Sequence, residues 1–350
     1  MKVLALNLPQ YHEIPENNEW WGNGFTDWIN VKKAKPLFSG HNQPITPLNN
    51  NYYDMSDIST ISWQSMLAKK YNVYGFIYYH YWFNGKKLLE KPCENLLMHP
   101  EVDTNYCFCW ANETWARTWD GHDKEILIKQ EYGGESDWKC HIQYLMKFFK
   151  DDRYIKVNGK PMLFVYSCCR IEKFNEMIDF WNKILLENGC NEIHLVEMIN
   201  SFNKGNMGIN SNVVTEFEPL CTSKYYISIM QKIKRGFNKK MGKIDFMSYD
   251  YVWKKLLNNK KSYGKPIYRS CFVDFDNSAR KGRKGLIMKG ANPKKFEKYL
   301  DLLVKKNDRD YDDDFLIINA WNEWAEGAIL EPTAKDEYRY LEAIKSLFSE

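Results

Sequence analysis

The segment DFLIINAWNEWAEGAILEP, residues 314–332, passes from an apolar run directly into a polar cluster. Residues 315–318 are four consecutive apolar side chains, which is typical of a strand buried on both faces. Amides, indoles and carboxylates then follow within eight residues, at Asn319, Trp321, Asn322, Glu323, Trp324 and Glu326. We interpret this segment as a core strand that opens into a functional site.

Seven similar β-rich runs precede this strand and alternate with longer amphipathic segments. The runs are Lys2–Leu6, Tyr74–Tyr79, Tyr106–Trp110, Met162–Tyr166, Glu192–Val196, Val213–Phe217 and Ile267–Phe272. The helix candidates include Ile61–Lys70, Asp137–Lys150, Lys173–Asn188, Pro293–Lys306 and Glu337–Phe348. This alternation is typical of α/β proteins with a parallel sheet, and eight strands fit a closed (β/α)8 TIM barrel.

The domain organisation follows from the absence of any repeat, low-complexity segment or linker in the sequence. We therefore expect a single catalytic barrel domain over residues 1–350, with long βα loops. Two stretches resemble loop insertions. One covers about residues 11–60 and is rich in Asn, Pro and Gly. The other covers about residues 218–262 and contains the basic segment YYISIMQKIKRGFNKK.

Composition argues against several classes of protein. The net charge of +4, from 49 Lys and Arg against 45 Asp and Glu, is too small to indicate nucleic-acid binding. No apolar run reaches the length of about 18 residues that a membrane span requires. The nine Cys lack CxxC spacing, which predicts reduced cytoplasmic thiols without disulfides or a zinc site. No residue spacing suggests a site for another metal, and the phosphate-loop motifs are absent, so we predict no cofactor. A nucleotide-sugar donor stays compatible with the sequence, because a barrel need not bind it through such a loop.

Aromatic residues are abundant, with 13 Trp, 23 Tyr and 19 Phe, and many stand in polar company. Examples are EWWGNGFTDW, YYHYWFNG and WANETWARTWDG at residues 19–28, 78–85 and 110–121. Indoles beside amides and acids suit a surface that stacks on sugar rings and hydrogen-bonds around them. The alternative is a Trp-rich core whose N–H groups need partners.

Barrel enzymes carry their active sites at the carboxyl ends of the strands, and the polar–aromatic clusters all follow predicted strand ends. We therefore predict that these residues contact the substrate. The candidates are Tyr11, His12, His80, Tyr81, Trp82, Asn112, Glu113, Trp115, Arg117, Trp119, Asp120, Glu216, Asp274, Asp276, Asn322 and Trp324. The two histidines could equally be buried and satisfied. Arg117 could bind an anionic sugar or form an internal salt bridge with Glu113.

The loop after the last strand carries the acids Glu323, Glu326 and Glu331. Glycoside chemistry uses a pair of carboxylates, one to protonate the departing oxygen and one to act as base or nucleophile. Close carboxylates also push their pKa values apart, which separates the two roles. We predict that Glu323 and Glu326 form this pair. The alternative is a helix start whose acids meet the positive end of the helix dipole.

The motif NAWNEWAEG followed by EP resembles the closing motif of family-99 glycoside hydrolases, the endo-α-mannosidase group. Almost the whole chain resembles the bacterial WbsX family, which is labelled as glycosyltransferases and found in O-antigen and capsule gene clusters. The matching stretches are LPQYHEIPENNEWWGNGFTDWINVKKAKPLFSGHNQP, YGFIYYHYWFNGKKLLEKP, CWANETWARTWDG, FVDFDNSARKG and INAWNEWAEGAILEP.

The family-99 resemblance implies a retaining mechanism without an enzyme nucleophile. Glu323 would deprotonate the sugar 2-hydroxyl, which attacks the anomeric carbon and gives a 1,2-anhydro sugar. Glu326 would act as general acid and then as general base. Family 99 usually has His where this chain has Ala325, so the identity of the sugar stays open.

Three functions remain compatible with the sequence. The first is a hydrolase-like enzyme acting on a bacterial surface oligosaccharide or polysaccharide. The second is a glycosyltransferase that uses an activated sugar in O-antigen or capsule synthesis. The third, a non-catalytic glycan-binding barrel, needs only the aromatic clusters and leaves the intact acid pair unexplained.

Residues 224–243 form a basic segment with interleaved apolar side chains. Such a segment could contact an anionic membrane surface, which would place a cytoplasmic protein at the periphery of the inner membrane. The alternative is an ordinary solvated helix face. The sequence leaves the oligomeric state open.

Overall fold

The structure is a computed structural model that describes residues 1–117, 122–204, 208–259, 262–306 and 311–348. The predicted site residues Trp119 and Asp120 lie outside these ranges. Within them, no helix combines the length and the apolar character that crossing a membrane would require.

Eight parallel strands form a closed barrel, which confirms the predicted α/β class and TIM-barrel architecture. The strands are β1 Lys2–Asn7, β2 Gly75–Phe83, β3 Asn105–Trp110, β4 Lys160–Val165, β5 His194–Ile199, β6 Val213–Glu216, β7 Ile267–Phe272 and β8 Tyr311–Asn319. Each strand pairs with the next along the chain. The barrel closes where Lys2–Ala5 of β1 pair with Phe315–Ile318 of β8. All eight predicted strands are present, with shifts of only a few residues at their ends.

Helices cover the outside of the barrel and line its loops. The helices within the described residues are α1 Pro15–Trp21, α2 Asp27–Lys33, α3 Ile58–Lys70, α4 Lys91–Met98, α5 Glu135–Phe149, α6 Phe174–Glu187, α7 Leu220–Tyr225, α8 Ile229–Lys240, α9 Tyr249–Asn258, α10 Ser278–Lys281, α11 Pro293–Val304 and α12 Arg339–Leu347. Helix α6 shows why they dock: Phe174, Met177, Ile178, Trp181 and Leu185 lie on one helical face and are all buried.

Additional short elements gather where barrel strands end. Lys86–Leu88 follows β2, the hairpin Trp115–Arg117 with His122–Ile128 follows β3, and the pair Asn322–Glu323 with Ala328–Ile329 follows β8. Asp245–Ser248, which comes after β6, pairs in parallel with Leu286–Lys289, which comes after β7. These elements therefore build up the carboxyl end of the barrel, where a TIM-barrel site is expected.

Candidate active site

One guanidinium joins the two predicted catalytic carboxylates. Arg280 of α10 donates from Nη1 to Oε1 of Glu326 at 2.8 Å and from Nη2 to Oε2 of Glu323 at 3.3 Å. The same Nη2 also donates to Oδ2 of Asp27, at the start of α2, at 2.7 Å. Glu323 and Glu326 therefore face a common space, and three carboxylates share one buried cation.

The electrostatics of this cluster raise the proton affinity of Glu323. Burial raises the pKa of Glu323, and the negative charges of Glu326 and Asp27 raise it further, while Arg280 opposes the shift. Three carboxylates around one guanidinium leave an excess of negative charge, and that excess makes a buried carboxylate a stronger base. The pKa of Arg280 is raised by the same three acids, so the guanidinium stays charged.

Strand β2 places tyrosines on the inner side of the barrel near these acids. Burial raises the pKa values of Tyr79 and Tyr81, and the charge of the nearby Glu323 raises them further. Because alternate residues of a strand point to opposite faces, the same strand turns His80 and Trp82 outward. Three residues of β2 were predicted as site residues, namely His80, Tyr81 and Trp82. Of these three, Tyr81 lies on the same side of the strand as the acid pair.

His80 and Trp82 pack against α5 on the outer face of the barrel. Nε2 of His80 lies 2.8 Å from Nε2 of His141, and burial lowers the pKa of His80 to about 3, which keeps it neutral. The Trp82 ring stacks on His141, with centroids 4.5 Å apart, and its N–H donates to Asp137 at 2.9 Å. The structure therefore assigns both residues to the packing between barrel and helix.

Glu113, at the end of β3, is half-buried and forms an ion pair with Arg170 at 3.2 Å. Burial raises the pKa of Glu113, and Arg170 opposes the shift. Both Glu113 and Glu326 contribute to the raised pKa of Tyr166, so the ion pair neighbours the acid pair. Arg117, the partner considered for Glu113 from the sequence, instead pairs with Glu125 at 3.4 Å.

Half-exposed indoles lie beside this region. Trp20 and Trp115 meet edge to face at 6.0 Å between ring centroids, and Tyr81 packs on Trp115 at 5.0 Å. The Arg117 guanidinium lies 5.2 Å from the ring centroid of Trp21. These rings offer partly open aromatic faces near Tyr81, which is the kind of surface that sugars require.

Asn322 and Tyr11 fasten the loop after β8 to the end of β1. The Asn322 side chain accepts from the Leu8 N–H at 2.7 Å and donates to the Leu8 carbonyl oxygen at 3.1 Å. The Tyr11 hydroxyl donates to the Asn322 carbonyl oxygen at 2.7 Å and accepts from the Trp324 N–H at 3.1 Å. Both predicted site residues are buried, and they hold the backbone that carries Glu323.

Glu331 is the hydrogen-bond partner of the two indoles in the segment of residues 314–332. Its buried carboxylate accepts hydrogen bonds from the N–H groups of Trp321 and Trp324, both at 2.8 Å. It also accepts from the Tyr53 hydroxyl and the Gln64 amide, both at 2.7 Å. Burial raises the pKa of Glu331 to about 7, while the four donors oppose that shift. Trp324 is therefore a buried ring whose N–H has an internal partner.

We expect Glu331→Gln to lower the free energy of unfolding by about 1–3 kcal/mol, because the Gln amide cannot accept from every donor that the carboxylate satisfies. Urea unfolding would measure the loss. Glu342→Gln, at an exposed position of α12, is the matched control and should change little. A variant as stable as the parent would show that the four hydrogen bonds are not needed for this packing.

Three further predicted site residues are buried with internal contacts. Asn112 bridges β3 to the end of β4, because its side chain bonds both the N–H and the carbonyl oxygen of Ser167, at 2.8 and 3.0 Å. Glu216 accepts from two tyrosine hydroxyls, those of Tyr226 and Tyr263, at 2.8 and 2.6 Å. Nδ1 of His12 lies 2.8 Å from the Pro9 carbonyl oxygen.

The family model described as glycosyltransferase WbsX matches residues 3–344. The chain belongs to the WbsX family. Uncharacterized protein WxcX of Xanthomonas campestris pv. campestris strain B100 is 32% identical over 348 residues, which cover 98% of this chain and 49% of WxcX. WxcX of strain ATCC 33913 matches with the same identity and coverage. The chain thus spans about half the length of the curated relatives it matches.

Solved structures share the fold of this WbsX-family chain. A glycoside hydrolase-like protein has a TM-score of 0.63 at 11% identity, covering 100% of this chain and 94% of that one. The GH99 endo-alpha-mannosidase from Bacteroides thetaiotaomicron, in complex with bis-tris-propane, has a TM-score of 0.59 at 13% identity, covering 99% and 95%. The predicted resemblance to the WbsX family is confirmed, and the resemblance to family 99 is confirmed at the level of the fold.

Asp274 and Asp276, predicted as substrate ligands, line a cavity of about 330 Å³. Asp276 accepts from His41 at 2.7 Å and from Gln43 at 3.0 Å, and so holds the 38–43 loop against the rim. Burial raises the pKa of Asp274 to about 7. The lining of the cavity includes none of the three carboxylates that bind Arg280.

One group of possible metal ligands occurs within the described residues. The ligand atoms of Glu216, Glu218 and Cys221 lie within 4.8 Å of one another and are buried. Both carboxylates already accept internal hydrogen bonds, and the hydroxyl of Thr222 donates to Glu218 at 2.7 Å. These contacts give the group a structural role without an ion.

Asp27 and Arg280 were not predicted as site residues. Both lie in stretches that carry the family resemblance, GFTDWIN and FVDFDNSARKG, which was the available signal. They stand 253 residues apart in the chain, and their contact depends on the closed barrel.

Proposed function

We propose that this chain is a carbohydrate-active enzyme that acts on a bacterial surface polysaccharide by a retaining, glycoside hydrolase-like mechanism. The observation that carries the proposal is the pair Glu323 and Glu326, held by the single guanidinium of Arg280 at the carboxyl end of the barrel. Two carboxylates that face one space, in different electrostatic surroundings, are what acid and base catalysis at a glycosidic bond requires.

The proposed chemistry assigns one proton transfer to each acid. Glu323 removes the proton of the sugar 2-hydroxyl, and that oxygen attacks the anomeric carbon to form a 1,2-anhydro ring. Glu326 protonates the departing oxygen as its bond to the anomeric carbon breaks. Glu326 then deprotonates the incoming hydroxyl, which opens the anhydro ring at the anomeric carbon, and Glu323 returns a proton to the 2-oxygen.

The surroundings of the pair support this division of roles. Its raised pKa makes Glu323 a stronger base than an ordinary carboxylate, which favours removal of a weakly acidic hydroxyl proton. Glu326 is more exposed, at 20% of its side chain against 8% for Glu323, and so is the more accessible to a leaving group. The indoles Trp20, Trp21 and Trp115 are proposed to stack on sugar rings.

Transfer to another sugar is the second candidate, because water and a sugar hydroxyl can open the same anhydro ring. The observation in its favour is that all nine cysteines are free thiols. Reduced thiols support a cytoplasmic location, where synthesis of a surface polymer is more useful than its hydrolysis. The intact acid pair speaks against a glycan-binding barrel without catalysis.

The direct test incubates the protein with the glycan that its own gene cluster makes, with and without nucleotide sugars, and follows the products by mass spectrometry. Shortened glycan without a nucleotide sugar would identify a hydrolase, and extension only with the donor would identify a transferase. Unchanged glycan in every mixture would contradict the proposed activity.

The pH dependence of turnover should reflect the raised pKa of Glu323. A general base works only when deprotonated, so kcat/KM should fall as the pH drops through this pKa. The acidic limb should therefore lie above the value of about 4.3 for an ordinary Glu. The profile of kcat/KM against pH measures it. If the residual activity of Glu323→Gln kept the same acidic limb, another group would be the base.

A further inference from the structure

Helix α8, Ile229–Lys240, carries the most exposed apolar surface of the described chain. Of the thirteen large apolar side chains that are exposed there, five fall within residues 229–241. They are Ile229, Met230, Ile233, Phe237 and Met241, with exposed fractions of 76%, 81%, 66%, 59% and 58%. No residue of α8 is buried. A surface helix normally turns its apolar face to the core, so this arrangement requires another explanation.

These side chains form one continuous face. At 100° per residue, the five positions fall within an arc of about 120° around the helix axis. The opposite side holds α8 to the protein, since Arg235 forms an ion pair with Asp245 at 2.6 Å and donates to the Ser223 carbonyl oxygen at 2.9 Å. The polar side thus faces the body of the protein, and the apolar side faces outward.

The helix and its flanking residues carry only positive side-chain charges, of which that of Arg235 is paired with Asp245. Residues 219–244 contain no Asp or Glu, and they carry the basic residues Lys224, Lys232, Lys234, Arg235, Lys239, Lys240 and Lys243. These seven charges exceed the net charge of +4 of the whole chain, so the remainder is net negative. Lys234 lies just outside one edge of the apolar arc and Lys240 just inside the other, where their apolar stems can lie along it while the ammonium groups reach outward.

The helix lies at the same end of the barrel as the acid pair. It follows the carboxyl end of β6 and leads into Asp245–Ser248, which pairs with Leu286–Lys289 after β7. Contact through α8 would therefore bring the mouth of the barrel towards the bound surface. An apolar face rimmed only by cations is complementary to an anionic lipid interface.

We propose that α8 docks this protein on an anionic membrane surface, with its apolar face among the acyl chains and its lysines on the lipid headgroups. The helix lies in the interface and does not span the bilayer. This inference goes beyond the proposed function and does not depend on the roles of Glu323 and Glu326. It places the mouth of the barrel at a surface where lipid-linked glycans would be within reach.

The test is co-sedimentation with vesicles of equimolar phosphatidylglycerol and phosphatidylcholine, compared with vesicles of phosphatidylcholine alone. We expect binding to the anionic vesicles that weakens as salt is raised, because salt screens the lysine contribution. Lys234→Gln with Lys240→Gln should reduce the partition coefficient by about 30-fold, which corresponds to ~1 kcal/mol per lysine. Ile233→Ser with Phe237→Ser should also abolish detectable binding.

The matched control is Met66→Ser with Leu186→Ser, a pair of similarly exposed apolar residues in α3 and α6. It should bind as the parent does. Circular dichroism should show every variant folded, since the helix buries no side chain. Equal binding to both vesicles, or binding that none of the α8 variants weakens, would overturn the proposal. A second outcome would also overturn it: the parent protein binds no vesicles and is a dimer, and the serine variant is a monomer. The apolar face would then be a contact between two copies of the chain.

Discussion

Glu323→Gln and Glu326→Gln should each reduce turnover by about 10²–10⁴-fold while the protein remains folded and binds glycan. Glutamine keeps the shape of the side chain and removes its ability to exchange a proton. Folding should survive because Arg280 keeps Asp27 and the other glutamate as partners after either change. Product formation followed by mass spectrometry, with binding measured separately by calorimetry, would test both statements. Glu187→Gln, an exposed position of α6, is the control.

A substrate whose leaving group needs no proton separates the two roles. With such a substrate, the Glu326 variant should regain the first step, because only the general acid is missing. The Glu323 variant should stay slow, since activation of the 2-hydroxyl is still absent. Equal rescue of both variants would mean that the roles are assigned wrongly. Full activity of both variants would mean that the two acids have no catalytic role.

Arg280→Met should lower the free energy of unfolding by about 3–5 kcal/mol, because it leaves the carboxylates of Asp27, Glu323 and Glu326 without their shared cation. Urea unfolding measures the loss. Arg280→Lys should recover only part of it, because one ammonium group cannot bridge three acids as a planar guanidinium does.

The loss in free energy of unfolding caused by Arg280→Met should depend on pH in a defined direction. Without the cation, which opposes the shift, the folded-state pKa of Glu323 rises further above its unfolded value. Acids with raised folded pKa values bind protons more tightly in the folded state, so stability falls as the pH rises from the unfolded to the folded pKa. The loss in free energy of unfolding should therefore be larger at about pH 8 than at about pH 5.

Two variants control this experiment. Arg339→Met removes an exposed ion pair with Asp336 and should cost at most about 1 kcal/mol. Asp27→Asn combined with Arg280→Met should be more stable than Arg280→Met alone, because one unpaired charge is gone. A loss in Arg280→Met that did not change with pH would show that packing of the side chain, and not its charge, stabilises the cluster.

The sequence by itself determined the barrel and the position of the acids after its last strand. Eight short apolar runs alternate with amphipathic segments, and each pattern depends on a few neighbouring residues. The strand Phe315–Ile318 and the acids that follow it could be assigned for the same reason. The family followed from motifs spread over almost the whole chain, with the last of them around Glu323 and Glu326.

The tertiary structure decided which aromatic and polar residues face the acid pair. Every residue of β2 is buried, because the barrel fills one face and helices cover the other. Hydropathy therefore does not alternate along the strand, and nothing local reveals that Tyr81 points inward while His80 and Trp82 point to α5.

The partners of the buried charges were likewise beyond the reach of local patterns. Arg280 donates a hydrogen bond to Asp27, which is 253 residues away in the chain, and Glu331 accepts hydrogen bonds from the indoles of Trp321 and Trp324. The first contact depends on the closed barrel, and the second depends on how the chain after β8 turns back on itself, which no hydropathy pattern encodes. The sequence thus placed the acids at the end of a strand, and only the closed barrel supplied the guanidinium that joins them.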